Sequence, residues 1–158
     1  MRHASARQVA QELQLLRSGA MDVRFHGNSM LPFVRDGDRL IVEPVVWREI
    51  ARGDLVTYRF EDKFPTRRVA RKGRNSILLW CDNWPDRRFR ARRHDVLGRV
   101  VTRERDGARL HASDDEWRAA TERSATIFRR WRVRRTLVRL HIIARSLGWL
   151  RRPARQRV

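Results

Sequence analysis

Residues 25–44 read FHGNSMLPFVRDGDRLIVEP, and the run Gly27-Asn28-Ser29-Met30-Leu31-Pro32 inside them decides how the rest of the chain is read. A short β-rich segment, Val23–Phe25, leads into a glycine and then a small hydroxyl residue. The turn marker Asp36-Gly37 follows, and after it a second β-rich run, Arg39–Val42. A serine held at the end of an extended segment can act as a nucleophile, with neighbouring backbone N–H groups forming an oxyanion hole. Gly27 would let a substrate backbone approach where a side chain would block it. Gly, Asn and Ser also dominate plain turns. Residue types alone therefore leave two readings open, a nucleophile or a simple connection between two strands.

Outward from this stretch the pattern stays short and β-rich. Leu55–Phe60, Arg67–Ala70, Ile77–Trp80, Gly98–Arg103 and Arg109–His111 read as strands, with Lys72-Gly73 and Asp106-Gly107 as turns. Many short strands with regular turns predict a mainly β, antiparallel, partly barrel-like domain over residues 21–111. Asp38 and Asp54, each after a glycine, are expected to accept backbone N–H bonds in turns. The run Arg87–Arg93 reads as a solvated loop. Before the domain, Val9, Leu13 and Leu16 recur at helical spacing, so residues 1–20 are expected to hold a short amphipathic helix over 5–17, stopped by Ser18-Gly19.

Residues 112–158 read as a helical, arginine-rich tail. Ser113-Asp114-Asp115-Glu116 has the form of a helix N-terminus, with a capping hydroxyl and acids in the first turn. From Arg123 to Val158 there are twelve arginines and no acids. Ile127, Phe128, Trp131, Val138 and Ile142 fall near one helical face, which Val133, Leu137, Leu140 and Leu147 are expected to widen, and Gly148 and Pro153 are expected to end the helix. Such a segment can pack on the β domain, lie on an anionic membrane, or contact nucleic-acid phosphates. No helix-turn-helix, zinc or base-stacking motif supports sequence-specific binding.

Composition sets the limits. The chain has 158 residues, enough for one modest core, and its 41% apolar fraction can fill one. Of 37 basic residues only Lys63 and Lys72 are lysines, and the net charge is +19. A surface of that charge attracts polyanions, whether anionic lipid, nucleic acid or an acidic partner. The single cysteine, Cys81, excludes an internal disulfide and a cysteine metal cluster; among Leu78, Leu79 and Trp80 it should be a buried thiol. Residues 1–20 lack the apolar core of a secretory signal, and no run of about 18 apolar residues could span a bilayer. A cytoplasmic protein, at most peripheral to a membrane, is the expectation.

Five boxes in order carry a family resemblance. Gly27-Asn28-Ser29-Met30-Leu31-Pro32 with Gly37-Asp38 resembles the nucleophile box of the type I signal peptidase and LexA-like serine peptidases. Gly53-Asp54-Leu55-Val56 resembles that superfamily's second Gly-Asp box, and Arg67-Arg68-Val69 its Lys/His-Arg-Val box. Cys81-Asp82-Asn83 is similar to its Gly-Asp-Asn box, and Leu97-Gly98-Arg99-Val100 to its closing strand. The resemblance implies a peptidase fold in which Ser29 attacks a peptide carbonyl, the Ser29 N–H and the Gly27–Met30 region hold the oxyanion, and Arg68 and Asp82 are structural beside the site. It implies a peptide or protein substrate bound as an extended strand against a sheet edge, and no metal or cofactor.

One departure bears directly on catalysis. The superfamily's general base stands directly before the arginine of the third box, and here that residue is Arg67. A base must lose its proton near working pH, which a desolvated lysine or a histidine can do. Arginine stays protonated in proteins. Lys63 is the first candidate for a relocated base. It precedes Arg67 by four residues and would lie about 13 Å away on a straight strand unless Pro65 bends it. His26, three residues before Ser29, is the second; Lys72 reads as a solvated turn lysine, and His3, His94, His111 and His141 as peripheral. The alternative to a relocated base is a peptidase fold that binds peptides without cleaving them, Arg67 holding a carboxylate and the basic tail tethering the protein.

Overall fold

The computed structural model describes residues 17–150, and the side chains of all of these except 139, 141 and 144–150. The helix expected over 5–17 lies outside the described residues apart from its end, where Arg17 is helical together with Ser18. The described elements are β1 (Met21–Arg24), β2 (Arg39–Glu43), β3 (Leu55–Tyr58), β4 (Thr66–Lys72), β5 (Ser76–Trp80), β6 (Arg88–Arg92), β7 (Val96–Arg105), β8 (Ala108–His111) and α1 (Asp115–Leu150). The strands pair antiparallel in the order β1-β2-β7-β3-β4-β5-β6, with β8 added to β7. The result is the half-barrel that the strand-and-turn pattern predicts, with one C-terminal helix.

β7 is the hub of this sheet. Along one side it pairs with β2; along the other it pairs first with β3, at Val96–Arg99, and then with β8, at Thr102–Arg105. Gly98 is obligatory there, because a Cβ would lie 2.2 Å from the Glu43 carbonyl oxygen. The β7–β8 turn is Asp106-Gly107, with φ of 50° and 80°, the two positive-φ positions of a type I′ hairpin.

β3 is buried on both faces. Leu55 belongs to a core with Met30, Phe33, Leu40, Val100 and Trp117, whereas the next residue, Val56, belongs to a second core with Tyr58, Val69, Ile77 and Leu79. The second Gly-Asp box is thus the entry to the strand that separates two cores.

The arginine run after Asn83 differs from expectation. Arg88–Arg92 forms strand β6 on the far edge of the sheet, with Arg88, Arg90 and Arg92 exposed, Phe89 half-buried and Ala91 buried. Period-two alternation outweighed the charge, since only the inward positions need be apolar.

α1 also departs in three details. Ser113 Oγ is 2.8 Å from His111 Nδ1, so the hydroxyl closes the preceding turn, and the Asp114 carbonyl accepts the Arg118 N–H at the helix boundary. The helix runs through Gly148 to Leu150. One glycine costs a helix only about 1 kcal/mol, and Pro153 lies outside the described residues. Finally, Val133, Leu137 and Leu140 do not widen the first apolar stripe. At 100° per residue they lie on the other side of the helix from Ile127, Trp131, Val138 and Ile142. The first stripe continues the side on which Trp117, Ala120, Ser124 and Phe128 are buried.

Candidate active site

Ser29 opens the turn that follows β1, at 8% exposure, with Met30 fully buried behind it. The turn is fastened on two sides. Phe25 donates its N–H to the Asp38 carbonyl (2.8 Å) and accepts from Gly37 N–H (2.9 Å). Asn83 donates its N–H to the Ser29 carbonyl (3.1 Å) and its side-chain amide to the Asn28 carbonyl (3.1 Å). The fourth box is therefore bonded directly to the first.

Gly27 has φ +93°, a conformation that suits glycine. Its N–H, however, donates to Asp36 Oδ1 at 2.6 Å, so this amide is already occupied. The Ser29 N–H has no acceptor among the described residues and can meet a carbonyl oxygen.

Arg68 and Asp82 form the buried centre of the site, exposed 0% and 1%. Arg68 Nε and Nη2 donate to the Asp82 carboxylate, Nη2 at 2.6 Å, and Nη1 donates to the Gly53 carbonyl (2.9 Å) and Thr121 Oγ1 (3.2 Å). The Trp80 indole N–H adds a third donor to Asp82 (3.0 Å). The guanidinium also stands 5.5 Å from the centre of the Phe33 ring. One side chain thus joins the second, third and fourth boxes to α1. Asp38 and Asp54 play the turn role expected of them. Asp38 accepts from Arg35 N–H (2.8 Å) and binds Arg105, and Asp54 accepts from Ala51 N–H (2.8 Å).

Arg67 points to the opposite face of β4. Its Nη1 donates to the Thr66 carbonyl (2.7 Å), its guanidinium lies 5.1 Å from the centre of the Phe89 ring, and its Nε is buried with no hydrogen-bond partner. Tyr58 and Cys81 feel its charge. Burial pushes both the Tyr58 hydroxyl and the Cys81 thiol above their ordinary pKa values, and Arg67 offsets part of each rise. Cys81 is buried, as its apolar neighbours predict.

The candidate bases are scattered. Lys63 is exposed in the β3–β4 hairpin, where its backbone pairs with Phe60, rather than on β4 with Arg67. His26 is exposed, with Nδ1 3.7 Å from Asp36 Oδ1. Lys72 is not solvated as expected. Its Nζ donates to the carbonyls of Trp47 (3.0 Å) and Arg48 (2.7 Å), fixing the 3-10 turn Trp47–Glu49 against β4.

Comparison with curated proteins returns no match for the chain. The sequence pattern of the Peptidase S24-like family matches residues 4–101, well over half of the chain and a span holding all five boxes. Four of these five boxes are tied together in space by Arg68, Asp82 and Asn83, and the chain belongs to the Peptidase S24-like family.

Proposed function

We propose that this member of the family binds peptides beside the Ser29 turn without hydrolysing them. The observation that carries the reading is Arg67. It occupies the position of the superfamily's base, it cannot give up its proton, and its buried Nε donor is unpartnered among the described residues. A buried donor left unmade costs free energy that a ligand oxygen would recover. A peptide carbonyl or C-terminal carboxylate is such an oxygen, and an extended peptide could pair with a sheet edge. β1, which leads into the Ser29 turn, is a terminal strand of the sheet.

The second reading is hydrolysis, favoured by the Ser29 N–H without an acceptor beside the hydroxyl. Ser29 would then be the nucleophile, with Lys63 as relocated base and the Ser29 amide as oxyanion donor. Incubating the purified chain with a mixed peptide library and reading new termini by mass spectrometry separates the two. The binding reading expects no cleavage by the native chain, retained peptide affinity in Ser29→Ala, and a gain of cleavage in Arg67→Lys. Cleavage by the native chain that disappears in both Ser29→Ala and Lys63→Ala would overturn it.

A further inference from the structure

α1 leaves the domain after Phe128. Beyond that residue every described side chain on it is exposed except Trp131, which is half-buried. The segment reaches Leu150, about 33 Å further along the axis. Val133, Leu137, Val138, Leu140, Ile142 and Ile143 each keep more than half of their surface in water. Between 129 and 143 the chain also places six arginines and no acid. So much exposed apolar surface marks an interaction site.

The outer side of this segment has a defined shape. Arg52, from the loop before β3, joins Arg129, Arg132, Val133, Thr136 and Leu137 around a groove of about 360 Å³. None of the three arginines forms a salt bridge among the described residues. Val133, Leu137 and Leu140 follow i, i+4, i+7 along the side of the helix opposite to buried Trp117, Ala120, Ser124 and Phe128.

We infer that this outer face docks the protein on an anionic lipid bilayer, with lipid phosphates on Arg52, Arg129 and Arg132 and acyl chains against Val133, Leu137 and Leu140. Two other covers fit less well. A second copy would bring a second acid-free, arginine-rich segment against the first, and like charges repel. A nucleic acid would neutralise the arginines but leave the aliphatic stripe in water. An anionic bilayer satisfies both, since arginine stems lie along apolar surface while their heads reach phosphate. No helix among the described residues is long and apolar enough to cross a membrane, so α1 lies on the surface. The family match ends at residue 101 and does not account for this element.

The test is flotation of the full chain with vesicles of phosphatidylcholine alone or mixed in equal parts with phosphatidylglycerol. The chain is expected to float with the mixed vesicles, not with phosphatidylcholine alone, and less so as salt rises. An arginine near an anionic surface contributes about 1 kcal/mol, so Arg52→Gln should weaken partitioning roughly fivefold. Val133→Ser with Leu137→Ser should weaken it at least about tenfold. These positions are exposed, so circular dichroism should be unchanged. Equal flotation of the double variant and the native chain would overturn the inference, as would no flotation at all. Displacement from vesicles by an RNA oligonucleotide that binds the double variant equally well would assign the face to nucleic acid. A dimer in sedimentation that the double variant abolishes, without lipid binding, would assign it to a second copy.

Discussion

Replacing Asp82 by alanine should cost this protein a large part of its stability. The carboxylate and its partner Arg68 are 1% and 0% exposed, so water cannot take the place of either. Removing one member of a buried ion pair typically costs about 3–5 kcal/mol, because the other charge stays buried and uncompensated. The Trp80 indole N–H loses its acceptor as well, at about 1 kcal/mol or more. Domains of this size are stable by only about 5–15 kcal/mol. Urea unfolding at neutral pH, followed by tryptophan fluorescence, should therefore show Asp82→Ala strongly shifted to lower denaturant. Arg68→Met should lose a comparable amount, since it strands the carboxylate. The double variant Arg68→Met with Asp82→Leu should lose less than the two single losses added, because no unpaired charge remains. A single-variant loss below about 1 kcal/mol would mean that the pair is hydrated, and the argument from burial would fail.

Two further outcomes follow from close contacts and burial. Gly98→Ala places a Cβ 2.2 Å from the Glu43 carbonyl oxygen, so β2 and β7 must separate; a loss of about 2 kcal/mol or more is expected in the same urea assay. Cys81, whose thiol pKa burial raises, should resist alkylation in the native state and react fully once unfolded. The unfolded thiol ionises near about pH 8.5, while the folded one stays protonated to higher pH. Stability from this group is present below that value and falls as pH rises towards the folded pKa; Arg67→Leu should raise the folded pKa further, whereas a stability gain on raising the pH through this range would contradict the assignment.

Much of the fold could be read in advance because strands announce themselves at their inward positions. Val23, Leu40, Leu55, Ile77 and Val100 are apolar where the sheet needs them, and the Asp106-Gly107 hairpin needs two positive φ angles that this pair supplies. β6 escaped because three of its five residues are arginine, and only Phe89 and Ala91 carry the pattern. Lys72 departs from its expected role for a different reason. Its place before the turn glycine Gly73 suggests a solvated head, but its Nζ finds two carbonyls at the end of a four-carbon stem. The candidate site was legible as a set of boxes and not as a set of contacts. Nothing local to Gly27 shows that Asp36, nine residues on, occupies its N–H. For the Arg67-Arg68 pair only the box pattern marks Arg68 as the structural one; its burial against Asp82 shows in the structure alone.

α1 packs on the domain as far as Phe128, and the described side chains beyond it are exposed apart from half-buried Trp131; this governs how its role can be isolated. Trp117 packs edge-on to Phe33, Phe128 packs on Trp80, and Thr121 Oγ1 accepts from buried Arg68. A Cβ on Gly53 would meet the Thr121 methyl at 2.7 Å, so loop and helix are fitted to one another. Removing everything from residue 114 onward would strip a wall from the core and leave Arg68 one acceptor short. Loss of binding in that truncation would therefore report unfolding as readily as a lost docking surface. Phe128 is the last buried residue among those described, and Trp131 still stacks near it with Arg88 beside both rings. A break after Arg132 keeps these contacts and removes Val133, Leu137 and Leu140 together with the arginines beyond. The shortened chain should unfold in urea within about 1 kcal/mol of the full one, since surface changes rarely cost more, and should no longer float with anionic vesicles. A shortened chain that unfolds far more easily would show instead that the projecting half of α1 supports the domain.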